Sequence, residues 1–171
     1  YWNMAKKILL QIAENFKKLA EQSDNIERAT KIMIDAIRYN KKIMFCGNGG
    51  SAADSQHLSA ELIGRYRINR DPLPAVALTT DTSTITAIAN DFSFEEIFSR
   101  QIRSSGVEGD VLYAISTSGN SKNILEAIKV SSKMGIKIVG LTGRDGGEMN
   151  GACDELIKVP ADSPDRIQEM H

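Results

Sequence analysis

His57 and Glu61 stand four residues apart in HLSAE, the spacing that puts two side chains on one face of a helix. A carboxylate held there can act as a general base. Paired with the imidazole, it also supplies two ligands for a divalent metal whose remaining ligands come from elsewhere. The same pair would equally make an ordinary surface ion pair. Asp54 falls near that face, toward the start of the segment. HLSAE is not H-E-x-x-H, so no zinc-protease reading follows.

Two small-residue loops surround this pair with anion-binding chemistry. GNGGS (47–51) offers glycine backbone that a ligand can approach closely. Ser51 and Asp54 have the spacing of a capping box, so a helix is expected to begin at Ser51 and aim its free N–H groups at the loop. A tight turn with a good cap reads the same way. The loop is neither G-x-G-x-x-G nor G-x-x-x-x-G-K-[ST], which argues against a nucleotide cofactor. STSGNS (116–121) supplies four hydroxyls from Ser116, Thr117, Ser118 and Ser121, with backbone amides and a helix start. That combination can hold a phosphate without a lysine; a serine/threonine turn is its plainer reading. In NDFSFEEIFSRQ (90–101), Asn90 and Asp91 can reach polyol hydroxyls or cap a helix, and the three phenylalanines are core or interface residues. Gln168 and His171 lie three apart in the final PDRIQEMH.

These residues need elements to hold them. KKIMFCG, PAVALTT, DVLYAISTSG, KIVGLTG and DELIKVP are short apolar runs with the length of buried strands. Helical patterns lie between them at 51–66, at 83–103 in one or two pieces, and at 121–134. The alternation predicts an α/β fold, a single domain over 4–171 with a five-stranded, mostly parallel sheet between helical layers. Three runs end in glycine- and serine-rich loops, and ligands of such sheets bind beyond the carboxyl ends of the strands. Residues 5–22 and 26–39 form two amphipathic helices ahead of the first strand, with stripes at Ile8, Ile12, Phe16 and Leu19 and at Ile26, Ala29, Met33 and Ile37. They must bury those stripes on this domain or on a partner. Tyr1-Trp2-Asn3 ahead of Met4 reads as a leader foreign to the native protein.

With 171 residues, 42% apolar and 25% charged, the chain can bury a core without metal or disulfide help. Its 21 basic and 22 acidic side chains leave a formal charge of −1, and nothing in that balance suggests a backbone-tracking nucleic-acid binder. Every apolar run is too short to span a bilayer, and no signal peptide is legible. Cys46 and Cys153 are far apart, with Cys46 expected as a buried free thiol, which fits a reducing compartment.

GNGGSAADSQHLSAELIGRY, NDFSFEEIFSRQ, AISTSGNSKNILEAI, LTGRDGG and RIQEMH, taken in order, closely resemble the sedoheptulose-7-phosphate (phosphoheptose) isomerases of the sugar isomerase (SIS) family. The resemblance implies an SIS-type three-layer sandwich and conversion of sedoheptulose 7-phosphate to D-glycero-D-manno-heptose 7-phosphate. That reaction is the first step toward the activated heptoses of lipopolysaccharide or surface glycans. It further implies a cytoplasmic homotetramer with active sites shared between subunits and the two leading helices at its centre. On this resemblance Ser116, Thr117, Ser118 and Ser121 form the phosphate cradle. Asn48, Gly49, Gly50 and Ser51 lie near the sugar carbonyl end, and Asn90 and Asp91 meet the sugar hydroxyls. Glu61 is the catalytic base beside His57. Some members bind zinc, and His57, Glu61 and Gln168 match three of its ligands. The fourth, a second histidine, lies beyond His171 in the family pattern, so the resemblance implies a chain short of its last helix and weak or inactive as it stands. A non-enzymatic relative that associates with the bacterial replication initiator shares STSGNS and RIQEMH but lacks the base; Glu61 separates the two readings. Sugar-phosphate sensors of this family usually add a DNA-binding domain, which is not seen here.

Overall fold

The computed structural model describes residues 3–171; Tyr1 and Trp2 lie outside the described residues. The chain runs α1 (Met4–Ala20), α2 (Ser23–Arg38), β1 (Ile43–Cys46), α3 (Gly50–Ile63), β2 (Ala75–Ala77), α4 (Thr82–Asp91), α5 (Ile97–Ser105), β3 (Val111–Ile115), α6 (Lys122–Lys133), β4 (Lys137–Thr142), β5 (Glu155–Lys158) and α7 (Pro164–Met170). Short 3-10 turns at Phe94–Glu96 and Gly147–Met149 complete it. Each of the five apolar runs became a strand. All four neighbouring pairs are parallel, in the order β2-β1-β3-β4-β5.

Alternate residues of each strand feed opposite cores, as the two-residue repeat requires. Met44, Cys46, Leu112, Ala114 and Ile138 pack with Phe98 and Ile102 of α5 and Ile124, Ala127 and Ile128 of α6. Ile43, Phe45, Val111, Ile115, Val139 and Leu141 pack with Ala29 and Ala36 of α2, Leu58 and Leu62 of α3, and Ile167 of α7. The result is the expected three-layer sandwich. Cys46 is a fully buried free thiol, and burial pushes its pKa up. Among the described residues, no helix is long and apolar enough to cross a membrane.

The starts of α3 and α4 are among those that differ from the sequence expectation. Gly49 adopts φ +57°, so α3 begins at Gly50 and Ser51 sits inside the first turn. No side chain caps this helix, and the Ser51–Asp54 capping box does not form. α4 starts at Thr82 because Asp81 caps it, accepting the Thr84 N–H at 3.0 Å and the Thr84 hydroxyl at 2.6 Å. Those bonds hold the Asp81 carboxyl below its usual range.

The two leading helices leave much of their stripes open. In α1 only Asn15 and Leu19 are buried, while Ile8, Leu9, Leu10 and Phe16 are exposed; Ile26 and Ile34 of α2 are exposed too.

At the opposite end of the sheet from the loops, Asp110 is 1% exposed. Its Oδ1 accepts the Lys42 N–H at 3.0 Å, and its Oδ2 accepts the Val107 N–H at 2.9 Å and the Lys42 ammonium. Removing this carboxylate orphans two amides and a half-buried cation. Asp110→Ala is therefore expected to cost about 3 kcal/mol of stability, read as a lower urea midpoint at unchanged slope.

Candidate active site

The strand order reverses between β1 and β3: α3 leaves β1 on one face of the sheet and α6 leaves β3 on the other. The crevice at such a switch point is where α/β sheets bind ligands. The GNGGS and STSGNS loops flank it. Asn48 and Asn123 zip them together, each amide donating to the other's carbonyl oxygen at 2.9 and 2.8 Å. Asn48 is thus committed to loop geometry. Asn123 went unremarked in the sequence; its only signal was a polar residue on the apolar stripe of α6.

Ser116 is buried and donates to the Ser121 hydroxyl at 3.1 Å. Ser121 therefore does not cap its own helix, and the α6 N-terminus keeps N–H donors for an anion. The Ser118 hydroxyl accepts the Asn120 N–H at 3.1 Å. Gly119, at φ +68°, lies against the backbone of Gly146, where a Cβ would stand 2.2 Å from the carbonyl oxygen. Thr117 and Ser118 line a cavity of about 250 Å³ with Gly143, Arg144, Asp145 and Ile167. Lys122 turns away from the loop to meet Glu95 at 3.2 Å, and the 94–96 turn packs on α6. That contact carries the NDFSFEE block to the flank of the loop. Asn90 and Asp91 stand exposed there, the Asn90 amide donating to Asp91 at 2.8 Å. Phe98 is core, while Phe92 is exposed under the Arg100 guanidinium, 3.5 Å from the ring centre.

Gln168 joins the crevice from the far end of the chain. A Cβ on Gly50 would stand 1.8 Å from its Nε2, so the glutamine lies directly on the first turn of α3. Glycine is required at position 50 for that approach. Ile167 packs likewise on Gly143.

His57 and Glu61 form their pair as expected, with Nε2 to Oε1 at 3.6 Å. His57 is exposed and Glu61 half-buried. They sit well down the helix, however: eleven residues at 1.5 Å rise put Glu61 about 16 Å from Gly50. One chain therefore presents two separate groups, the loops with Gln168 at the crevice and His57–Glu61 further along α3. Glu61 borders a groove of about 480 Å³ whose walls include Met33, Ile34, Leu58, Leu62 and Tyr66. Arg70 secures the end of α3 there, donating to the carbonyls of Glu61 and Leu62 at 2.8 Å each. Within one chain His57 and Glu61 give two adjacent donors for a metal and Gln168 is remote from both. Among the described residues no group of three or more histidine, cysteine, aspartate or glutamate side chains is gathered for one.

Comparison with known proteins agrees with this architecture. The SIS domain profile matches residues 8–143. A phosphoheptose isomerase of Akkermansia muciniphila is 53% identical over 163 residues, covering 95% of this chain and 86% of the relative. One from Aliarcobacter butzleri is 49% identical, covering 96% and 88%. Among solved structures, a phosphoheptose isomerase from Francisella tularensis superposes with a TM-score of 0.95 at 34% identity, covering 99% of this chain and 91% of that one. The enzyme from Neisseria gonorrhoeae gives 0.86 at 43% identity, covering 98% and 92%. On these grounds the chain belongs to the phosphoheptose isomerase family of SIS-domain proteins.

Proposed function

We propose that the protein isomerises sedoheptulose 7-phosphate to D-glycero-D-manno-heptose 7-phosphate by proton transfer through an enediol(ate). One observation carries the reading beyond its family. A hydroxyl-rich loop at the sheet's switch point adjoins a helix that bears a half-buried carboxylate beside an imidazole. Ser116, Thr117, Ser118, Ser121 and the α6 N-terminus hold the phosphate, anchoring the sugar at a distance from its reacting carbons. Ser51, Gly49, Gly50 and Gln168 meet the carbonyl end, and Asn90 and Asp91 take hydroxyls. Glu61 removes the proton from C1 and returns it to C2, with His57 as the neighbouring donor for developing charge on oxygen. The retained Glu61 favours this over the adaptor reading.

The 16 Å separation within α3 is spanned by a second copy of the chain. The exposed apolar faces of α1 and α2 and the groove beside Glu61 support an assembly, a homotetramer by family resemblance, in which one copy's cradle faces another's Glu61. The same assembly can bring Gln168 of one copy to His57–Glu61 of the next. Zinc is proposed there, and when bound it would polarise a sugar oxygen; no step above depends on it. Two free thiols support a reducing, cytoplasmic setting.

The test is incubation with sedoheptulose 7-phosphate in heavy water. An aldose phosphate carrying deuterium at C2 is expected, since an enediol exchanges its proton with solvent. Absence of the aldose sinks the assignment. Ser118→Ala with Ser121→Ala is expected to weaken binding of the phosphate ester, each lost bond to the anion costing about 1.5–3 kcal/mol, with less than full additivity. Calorimetric titration with sedoheptulose 7-phosphate and with free sedoheptulose decides it; undiminished preference for the phosphate places the cradle elsewhere.

A further inference from the structure

The LTGRDGG turn (141–147), which follows β4, lies against the hydroxyl-rich loop that ends β3. The Gly143 N–H donates to the Thr117 carbonyl at 3.1 Å, and the Glu148 N–H donates to Asn120 Oδ1 at 2.9 Å. Between these two bonds the backbones touch. A Cβ on Gly147 would stand 2.6 Å from the Ser118 carbonyl oxygen, and one on Gly119 would collide with the Gly146 carbonyl. Gly119, Gly146 and Gly147 have φ of +68°, +76° and +52°. Space and conformation both keep side chains out of this seam.

The turn is anchored on its own account. Met149 is fully buried in the core formed with α5 and α6. The Asn150 amide donates to the carbonyls of Asp145 at 2.7 Å and Gly147 at 3.0 Å, which closes the turn. The Arg144 N–H donates to the Ala161 carbonyl at 3.2 Å. Asn120 links the loop to this anchor through two groups. Its backbone N–H donates to the Ser118 hydroxyl at 3.1 Å, and its carboxamide oxygen takes the Glu148 N–H. The direction of one cradle hydroxyl is thereby tied to the position of the turn. With Lys122 paired to Glu95, the loop offers an anion neutral hydroxyls and amides. Such donors bind well together only when their directions are fixed beforehand.

We propose that Asn120 is a positioning residue for the substrate's phosphate: its carboxamide oxygen seats the 116–121 loop on the 143–150 turn, and the Asn150 amide keeps that turn in shape. The role rests on the cradle of the isomerase reading. The test is calorimetric titration with sedoheptulose 7-phosphate and with free sedoheptulose, together with steady-state kinetics, on the full chain. It compares wild type, Asn120→Ala, Asn150→Ala and the double variant. Both side chains are exposed, so truncation opens no core cavity, and the titrated fraction of sites checks folding. Asn120→Ala is expected to raise Kd and KM for the phosphate ester about 10-fold, the effect of one weakened bond to an anion. Affinity for the free sugar and kcat should stay close to wild type, since what is lost is uniform binding. Asn150→Ala acts in the same direction without touching the cradle, and the double variant loses less than the product of the two, because both act through one seam. Amide hydrogen exchange across residues 117–121 without ligand gives a reading independent of any sugar, and it is expected to quicken in both single variants. An Asn120→Ala protein that keeps the wild-type preference for the phosphate ester overturns the proposal, as does exchange at the wild-type rate. A loss in Asn120→Ala with wild-type Kd in Asn150→Ala also overturns it, by making Asn120 a direct ligand. A wild type that binds both sugars alike sinks the cradle reading itself, and shows this before any variant is compared.

Discussion

Glu61→Gln is expected to lower kcat for sedoheptulose 7-phosphate by about 10²–10⁴-fold, the contribution of a positioned general base, while the substrate's affinity changes little. Glutamine keeps the length of the side chain beside His57, now 3.6 Å from the carboxylate, but it cannot take a proton. The phosphate contacts proposed for the 116–121 loop and the α6 start lie elsewhere, which is why binding should survive. Nor should the backbone shift, since Arg70 grips the carbonyl of residue 61 and not its side chain. The effect must therefore appear in kcat and in deuterium wash-in alike. Loss of wash-in separates a missing base from slowed product release. A Glu61→Gln protein that exchanged deuterium at the wild-type rate would pass the role of base to another group. Failure of binding alone would instead make residue 61 a sugar ligand.

Much of the scaffold for this chemistry was legible because burial writes itself into local sequence. IMFC and VLYAI are apolar on both faces, as strands covered on two sides must be, and they became the two strands at the switch point. The hydroxyls of the 116–121 loop followed from their position after such a strand. The start of α3 was misplaced by a residue because Gly49 reaches a backbone conformation that the capping-box spacing does not encode. The reciprocal Asn48–Asn123 bond spans 75 positions, and the seat of Gln168 on Gly50 joins opposite ends of the chain. Both depend on how α6 and α7 dock, which no local pattern expresses. Family resemblance named Gln168 and Glu61 as parts of one site; only the fold revealed that α3 holds them far apart within a chain.

That separation yields the second large expectation. Glu61→Gln and Gln168→Ala are each expected to be nearly inactive alone, yet mixing them through unfolding and reassembly should restore activity. A site built from one copy's cradle and Gln168 and another copy's His57 and Glu61 is intact wherever the two variants meet in the right order. Random assembly makes that about a quarter of all sites when each site draws on two copies of a symmetric oligomer. Apolar surface supplies the means, since Ile8, Leu9, Leu10 and Phe16 of α1 and Ile34 of α2 are exposed on the single chain, more than scattered surface residues explain. Light scattering on the wild type should accordingly report an oligomer at micromolar concentration. The decisive control is a mixture in which one partner carries both substitutions, because it then contributes neither half of a site and activity should stay at the level of the parents. Restoration in that control as well would point to refolding alone as the cause. If the mixture of single variants stayed as inactive as its components while forming mixed oligomers, each chain would have to complete its own site, and α3 would have to bend or α7 move to close about 16 Å. The packing of Ile167 of α7 against Gly143 makes the intersubunit route the smaller change.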